Sequence, residues 1–350
     1  MKILVAGWFS FEDGHATAGD LLVRDLVCEW IETAGARYDV ALAKPFEGGV
    51  DLLQVDPTAY SHLVFVCGPF QQGKLEAKLF ERFNQCRIIG VNLTMKLPLS
   101  KWNPFDCLIE RDSSARANPD LSFLSRRPAV PIVGVCLLED SEGVLTQIAN
   151  AAIERLRAAR EIAFVMIDTR LDINGTGLRT PAEVESLLGR MDAVITTRLH
   201  GTVLALKHGV PAIAIDPVPG GGKITRQTEQ IGWPVCFNAI EVTDRQLIEA
   251  LEYCLSSAAR EKALECTRNA ESRAEEIRAD FIRILQCPAK LEESHASRMA
   301  NPPDASWMDQ FLNQPKKPDA EPTPRRTFKS RVANFFRSNR SPNARTHLHR

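Results

Sequence analysis

The sequence predicts an α/β protein built on parallel sheets, and three observations carry this prediction. Short apolar segments alternate with segments of helical periodicity, the alternation occurs twice along the chain, and no stretch is apolar for long enough to cross a membrane. At 350 residues, with 44% hydrophobic and 25% charged residues, the chain has room for two domains with substantial cores. The N-terminal MKILVAG is unlike a signal peptide, so we expect a cytoplasmic protein.

The first half alternates predicted strands and helices up to residue 127. The predicted strands are KILVAGWF, HLVFVCG and RIIGVNL, and the predicted helices between them are DLLVRDLVCEWIETAG and KLEAKLFERFNQC. Parallel βαβ units show this alternation. The stretch SRRPAVP interrupts it, so we predict a first domain over residues 1–127.

The second half, residues 128–287, restarts the same rhythm. Its predicted strands are PIVGVCLL, IAFVMID, DAVITT and PAIAID. Its predicted helices are SEGVLTQIANAAIERLRAAR, PAEVESLLGRM, GTVLALKHG and a long helix from about Asp244 to Leu285. Thr180 followed by Pro181 and Glu183 is typical of a capped helix start. The sequence therefore predicts two Rossmann-like domains in series.

The composition predicts a disordered tail over residues 288–350. From Pro315 onward ten Lys and Arg face two acidic residues, a net charge of +8 that leaves −9 on the first 314 residues. A chain with an acidic body is not a general nucleic-acid binder. In TFKSRVANFFRSNR, four apolar side chains share one helical face among basic residues. Two interpretations stay open for residues 325–340: a solvated tail, or peripheral contact with the inner face of an anionic membrane.

The cysteine and histidine spacings predict neither disulfides nor a metal site. Nine cysteines include no CxxC pair, and several lie in apolar runs such as FVCGPF, so we expect reduced and buried thiols. The seven histidines show no HExxH spacing, and the one HxH pair, His347 and His349, lies in the predicted tail. We expect no bound metal or cofactor.

The first of three candidate loops is GWFSFEDGHATAGD, residues 7–20. Gly7, Gly14 and Gly19 permit tight turns and close ligand approach. Asp20 either caps the following helix or contacts a substrate. The loop lacks the GxGxxG spacing, so it does not indicate nicotinamide binding.

The second candidate loop is IERDSSARANPDLSF, residues 109–123. It follows an apolar strand-like segment and contains Arg111 next to Asp112. The planar guanidinium suits carboxylate and phosphate, so Arg111 is either an anion ligand or half of a surface ion pair.

The third candidate loop joins AVITT to the next helix through Arg198, His200 and Gly201. In open α/β sheets this edge binds ligands, and a helix start offers free amides and a positive dipole end to an anion. A histidine in this setting suits proton transfer near neutral pH, so His200 is a candidate general acid.

A further stretch, DPVPGGGKITRQTEQIG, supplies Lys223 and Arg226, which we expect to approach the same crevice. The glycines Gly220–Gly222 indicate a phosphate cradle, although the P-loop spacing is absent. His208 lies inside the apolar face of the predicted helix GTVLALKHG and has no such setting, so we interpret it as structural.

These residues resemble the polysaccharide pyruvyl transferase family. The resemblance is carried by TTRLHGTVLALKHGVPAIAID, followed by Lys223 and a helix ending at IGW. Weaker matches upstream follow in order: Gly19-Asp20, Cys67-Gly68-Pro69-Phe70, Arg111-Asp112 with Ser114, and Pro119-Asp120-Leu121-Ser122-Phe123. The resemblance covers roughly residues 1–250.

The resemblance implies a GT-B-like architecture, in which two Rossmann-like domains face each other across a cleft. It implies transfer of the pyruvyl group of phosphoenolpyruvate to two hydroxyls of a sugar, in a polysaccharide or a lipid-linked glycan precursor, with release of phosphate. By motif position His200 is the acid, Arg111 and Arg198 bind the anionic groups of the donor, and Lys223 contacts phosphate. The acceptor is expected on the N-terminal side and the donor on the C-terminal side.

Two departures from the family pattern bear on the acceptor. The first loop has Thr17-Ala18-Gly19-Asp20-Leu21 where the family has Asn-x-Gly-Asp-Glu, and the second strand ends in Cys67-Gly68-Pro69 where three glycines are common. Two other functions stay open. One is a glycosyltransferase that uses a nucleotide sugar, with Glu229 as the ribose contact, and the other is a non-catalytic protein that binds a glycan or a protein partner.

Overall fold

The computed structural model describes residues 1–112, 116–139 and 143–286. The predicted tail from residue 288, the membrane hypothesis for residues 325–340 and Ser114 lie outside the described residues. The chain divides into two compact units, the first of which ends at Pro128.

The first unit is an open sheet of five parallel strands. The strand order is β2-β1-β3-β4-β5, so it reverses between β1 and β3. Ligands of such sheets bind outside the carboxyl ends of the strands at the reversal. Its elements are β1 (Lys2–Gly7), α1 (Ala18–Thr33), β2 (Arg37–Val40), β3 (His62–Phe70), α2 (Lys74–Arg82), β4 (Arg87–Met95) and β5 (Cys107–Asp112).

An aromatic cluster fills the core below the carboxyl ends of β3 and β4. Phe70, the last residue of β3, is fully buried. Its ring centroid lies between 4.9 and 6.4 Å from those of five other rings: Trp8, Phe65, Phe80, Trp102 and Phe105. The cluster holds the Trp8 indole at the edge of the sheet, directly after β1.

The second unit repeats this plan with five parallel strands in the order β10-β9-β8-β6-β7. The order reverses between β6 and β8. Its elements are β6 (Ile132–Cys136), α3 (Val144–Ala159), β7 (Ala163–Met166), α4 (Pro181–Leu188), β8 (Ala193–Thr196), α5 (Leu199–Lys207), β9 (Ala212–Asp216), α6 (Lys223–Ile231), β10 (Cys236–Asn238), α7 (Asp244–Cys254) and α8 (Ser257–Gln286). The prediction of an α/β protein with two Rossmann-like sheets is confirmed.

Several boundaries differ from the prediction for local reasons. A single helix was expected from Asp244 to Leu285, but the structure has two helices because the chain turns after α7. Ser256 Oγ then accepts a hydrogen bond of 3.3 Å from the Ala259 amide in the first turn of α8. The short edge strands β2 and β10 were not predicted, since their sequences RYDV and CFN mix polar and apolar residues.

The predicted start of α4 is confirmed. Thr180 is the N-cap, its hydroxyl accepts a hydrogen bond of 3.2 Å from the Glu183 amide, and Pro181 is the first helical residue. The eight cysteines of the described ranges are free thiols, and six of them are buried, as expected. In the same ranges no helix combines the length and the apolar composition that a membrane crossing needs.

The contact between α5 and the sheet depends on Gly201, the third residue of that helix. A Cβ atom at this position would lie 2.3 Å from Thr196 Oγ1 and 3.0 Å from Cys136 Cβ. The Thr196 hydroxyl is fixed because it donates a hydrogen bond of 2.9 Å to the Cys136 carbonyl. Only glycine therefore allows α5 to begin this close to β6 and β8.

We predict that Gly201→Ala lowers the free energy of unfolding by roughly 1–3 kcal/mol, because the added methyl overlaps Thr196 and Cys136. Gly19→Ala is the matched control within α1, where a Cβ would make only an ordinary contact of 3.6 Å with Thr17 Oγ1, and it should raise stability by about 0.5–1 kcal/mol. Urea denaturation of both variants measures the two effects. A Gly201→Ala protein as stable as the wild type would contradict the packing described above.

Candidate functional site

The junction of β8 and α5 places charged side chains at the strand reversal of the second unit. β8 ends at Thr196 and α5 begins at Leu199, two residues earlier than predicted. Arg198 is the residue before the first helical position, and His200 is the second residue of the helix. The two side chains thus lie at the edge where such sheets bind ligands.

Arg198 is anchored on one side and free on the other. Its Nε donates a hydrogen bond of 2.6 Å to the carbonyl of Leu137, directly after β6. Across the described ranges, its two terminal nitrogens have no hydrogen-bond partner. The guanidinium is half-buried, so it has a fixed position and unused donors with which to bind an anion.

The first turn of α5 lacks the negative charge that usually stabilises a helix start. Its N-cap is Arg198, no side chain caps it, and the turn contains no acidic residue. His200 is exposed and has no side-chain partner in residues 1–112, 116–139 and 143–286. Free amides and the positive dipole end make this turn a place for an anion from outside the chain.

The glycine loop before α6 is already occupied by a carboxylate of the chain itself. Asp216, the buried last residue of β9, accepts hydrogen bonds from the amides of Gly222 at 2.7 Å and Thr225 at 2.9 Å. The Thr225 hydroxyl and the Val218 amide also donate to it. Burial would raise the pKa of Asp216, but these bonds lower it. Asp216 therefore occupies the Gly222 amide, and the Val218 carbonyl accepts from the Gly221 amide, so the loop has fewer amides for a phosphate than the glycine run indicates.

A cavity of about 440 Å³ lies beside this loop in the second unit. Exposed Lys223, the first residue of α6, lines it together with Thr197, Asp216 and Thr146. Arg226 is exposed on the next part of α6 and does not line that cavity. The structure thus brings Lys223 to the carboxyl edge of the sheet, where it lines the same cavity as Thr197, the residue before Arg198.

His208 ends α5 at the surface and is not within the apolar face of the helix where we expected it. It is the C-cap residue, and its Nε2 lies 3.5 Å from Glu185 Oε2. The contact ties α5 to α4, which agrees with a structural role.

In the first unit, the loop after β1 folds around its own backbone. A Cβ at Gly14 would overlap the Trp8 carbonyl, and one at Gly7 would overlap the Val66 carbonyl. Gly19 is a helical residue at which a Cβ would make only an ordinary contact of 3.6 Å with Thr17 Oγ1. These glycines therefore shape the loop, and close approach of a ligand to them stays a prediction.

Asp20 belongs to a capping box and is not the N-cap. The N-cap of α1 is Thr17, whose amide and hydroxyl donate to Asp20 Oδ2 at 2.6 and 2.8 Å. Asp20 thus stabilises the helix start. It also lines a cavity of about 480 Å³ at the carboxyl ends of β1 and β3, so the capping role leaves a substrate contact open.

Arg111 lines the same cavity, within β5, and is held by two carboxylates. Its Nε donates to Asp112 Oδ1 at 2.8 Å, one terminal nitrogen donates to Asp120 Oδ2 at 2.9 Å, and the other donates to Thr94 Oγ1 at 2.6 Å. The surface pair with Asp112 therefore exists, but as part of a larger network. Two carboxylates offset its charge, so Arg111 is a weaker anion ligand than predicted.

Asp120 is the centre of that network. Burial would raise its pKa, but hydrogen bonds from Ser122, Arg111 and Asn92 lower it to about 2. Asn92 also accepts a hydrogen bond of 3.1 Å from the Leu121 amide, so it ties the loop after β5 to β4.

Two strained residues lie at the carboxyl ends of the central strands. Cys67 in β3 and Asn92 in β4 have φ values of 65° and 58°, and Asn92 Nδ2 lies 3.3 Å from Cys67 Sγ. Positive φ at non-glycine residues is concentrated at functional sites. Local patterns in the sequence do not reveal such a pair, because it forms only when β3 and β4 are aligned.

The 480 Å³ cavity contains functional candidates that the sequence analysis missed. Trp8, His15, Gln71, Glu76 and Lys96 all line it. In the sequence, Glu76 is a polar position of a predicted amphipathic helix, and Trp8 is near the end of a predicted strand. They become candidates only because the fold brings them to one cavity at the end of β3.

Part of the chain matches a family of transferases. The model of the polysaccharide pyruvyl transferase family matches residues 112–217. That range extends from the last residue of β5 to just beyond β9 and contains Arg198, His200 and Gly201, so the resemblance seen in the sequence is confirmed there. Arg111, Lys223, Arg226 and the loop of residues 7–20 lie outside it. Comparison with curated proteins finds no match.

Solved structures with some likeness to the chain are glycosyltransferases. The calicheamicin glycosyltransferase CalG4 is 14% identical, with 81% of this chain and 98% of that chain covered and a TM-score of 0.29. The glycotransferase of kitacinnamycin is 13% identical, with 82% of this chain and 98% of that chain covered and a TM-score of 0.32. The glycosyltransferase SnogD from Streptomyces nogalater is 15% identical, with 79% of this chain and 98% of that chain covered and a TM-score of 0.27. TM-scores this low do not establish a shared arrangement of domains.

We predict that Asp120→Asn destabilises the protein by roughly 1–3 kcal/mol near neutral pH, because Asp120 receives charge-assisted hydrogen bonds. Its pKa is lower in the folded chain than in the unfolded chain, so the stabilisation is present above about pH 4 and is lost as the pH falls to about 2. Urea denaturation at a series of pH values should show the gap between wild type and variant shrinking over this window. A gap that stays constant from pH 7 to pH 2 would contradict the pKa of Asp120.

Proposed function

We propose that this chain transfers the pyruvyl group of phosphoenolpyruvate to two hydroxyls of a sugar, forming a cyclic ketal and releasing phosphate. The sugar belongs to a polysaccharide or to a lipid-linked glycan precursor. The observation that carries the proposal is the β8–α5 junction: within the family match, it presents an anchored arginine with free donors, a histidine and an uncapped helix start.

The donor has two anionic groups, a carboxylate and a phosphate, and the second unit offers separate cationic features for them. Arg198 presents the planar guanidinium that suits a carboxylate or a phosphate. The amides of Leu199 and His200 and the dipole of α5 add a second attraction, and Lys223 supplies a further positive charge. Arg111 is left out of this set because Asp112 and Asp120 already pair with it.

The proposed reaction needs one proton donor beside the donor substrate. A proton adds to the methylene carbon, which leaves an oxocarbenium-like centre at the carbon that bears the phosphate. One acceptor oxygen bonds to this carbon and loses its proton. The second oxygen then bonds there as the bond to the phosphate oxygen breaks, and its proton leaves with phosphate. We assign the first proton to His200, and the reaction uses no cofactor.

We predict that phosphoenolpyruvate stabilises the full chain and that Arg198→Ala removes most of this effect. A ligand at one hundred times its dissociation constant adds about 2.7 kcal/mol, which is a shift of several degrees in the thermal unfolding midpoint. Arg245→Ala is the matched control, because Arg245 is an exposed arginine of the same unit that pairs with Glu249. Differential scanning calorimetry with and without phosphoenolpyruvate measures the shift.

The same experiment tests the competing functions. Stabilisation by UDP-glucose, with none by phosphoenolpyruvate, would contradict the proposal and favour a glycosyltransferase. For His200, the proposal predicts that His200→Gln keeps the stabilisation by phosphoenolpyruvate but stops the incorporation of deuterium from D2O into the methyl group of the ketal product, measured by proton NMR with methyl galactoside present. Unchanged incorporation in the variant would remove His200 from the proton transfer.

A further inference from the structure

The second half of α8, residues 271–286, presents a row of large apolar side chains to the surface. Every residue of this half is exposed. The exposed fractions of Ile277, Phe281 and Ile284 are 69%, 58% and 69%. A helix of about 15 residues that packs on nothing is only marginally stable in water, and a contiguous apolar patch on a protein surface indicates a place that another molecule covers.

The apolar row has the spacing of a coiled-coil seam. Ala270, Ala274, Ile277, Phe281 and Ile284 follow each other at alternating steps of four and three residues, which keeps them on one face of α8. Ala270 is partly buried against the core of the second unit, so the face that packs on this unit continues along the exposed half. The spacing therefore predicts a second helix alongside residues 271–286.

The charges of this half favour a second copy of the chain as the occupant. Residues 271–286 contain four acidic side chains and three arginines. An anionic membrane would face the acidic side chains, and the segment 325–340, with six basic and no acidic residues, would face the arginines, so each would bring like charges together. A surface that carries both signs is complemented by a copy of itself when each sign meets the other.

An antiparallel alignment of two copies of α8 matches small side chains with large ones. When Ala274 of one copy lies opposite Ile277 of the second copy, Ala270 lies opposite Phe281. Two-fold symmetry repeats both pairs, so four layers form a seam in which each large apolar side chain has a small one across from it.

The positions that flank the seam in this alignment have opposite charges. Glu271 lies beside Arg278 of the second copy, and Arg273 lies beside Asp280, and the symmetry repeats each pair. Within one copy, Arg278 pairs with Glu275, and no residue of the described ranges forms an ion pair with Glu271. A parallel alignment would instead place Arg273 beside Arg278, so the charges favour the antiparallel one.

We infer that two copies of this chain associate through the second halves of α8, as an antiparallel pair of helices related by a two-fold axis. The inference is independent of the proposed function, because these residues lie outside the family match and outside both cavities described above.

Sedimentation equilibrium of the full chain with reductant, over about 1 to 100 μM, tests the association, since weak specific dimers dissociate in this range. We expect a mass that rises toward twice the 38.9 kDa of one chain. Ile277→Asp should raise the dissociation constant about hundredfold, because it puts two unpaired carboxylates into the apolar seam. Ile282→Asp is the matched control, since Ile282 is exposed on the same helix but off the row, and it should leave the constant unchanged.

An exchange of charges tests the antiparallel alignment. Glu271→Arg and Arg278→Glu should each raise the dissociation constant about tenfold, because each brings like charges together twice in the dimer. The two changes combined restore opposite charges and should return the constant to that of the wild type. Glu276→Arg is the matched control, since Glu276 is exposed off the row. The thermal unfolding midpoint of each variant shows that it is folded.

Three results would overturn the inference. They are a mass that stays at 38.9 kDa over the whole range, a dimer that Ile277→Asp does not weaken, and a dimer in which the combined exchange is as weak as the single changes. A monomer that dimerises only after Phe335→Asp would assign the face to the segment 325–340. A monomer that binds phosphatidylserine vesicles, and loses this binding in Ile277→Asp, would assign it to a membrane. Either outcome excludes the pair of α8 helices in the full chain.

Discussion

Parallel pairing forces the carboxyl ends of all five strands of each sheet to the same edge, and every candidate site of this protein depends on that constraint. The strand order reverses between β1 and β3 in the first unit and between β6 and β8 in the second. At each reversal the following loops diverge to opposite faces of the sheet and leave a crevice. The 480 Å³ cavity lies at the first reversal and the β8–α5 junction at the second.

The helix N-termini at these edges differ in whether a carboxylate of the chain offsets their positive dipole end. Asp20 serves the first turn of α1, and Asp216 occupies amides at the start of α6, so both starts already hold a carboxylate of the chain. The start of α5 holds none and begins with Arg198. A carboxylate of the chain at a helix N-terminus stabilises the fold. A helix N-terminus without such a carboxylate offers the strongest attraction to an anion from outside the chain.

The sequence allowed the sheets and the β8–α5 junction to be predicted, because both depend on local periodicity. Apolar runs such as AVITT identify buried strands, and the charged residues after such a run lie at the ligand edge by topology alone. The partners of Arg111 and Asp216 and the burial of Glu76 could not be predicted. Asp216 reaches the Gly222 amide only once the loop has closed, and Trp8 meets Gly68 only when β1 pairs with β3. Ion pairs with Asp112 and Asp120 make Arg111 a weaker anion ligand than expected. Burial distinguishes Glu76 from the exposed polar residues of its helix.

The most direct test of the account is a map of backbone amide chemical shifts during titration of the full chain with phosphoenolpyruvate. The largest shifts are expected at Leu199, His200 and Gly201, where the start of α5 is uncapped. The amides of Gly222 and Thr225, already bonded to Asp216, should move less. Largest shifts confined to residues 1–128, with those of α5 unmoved, would contradict the assignment of the donor to the β8–α5 junction.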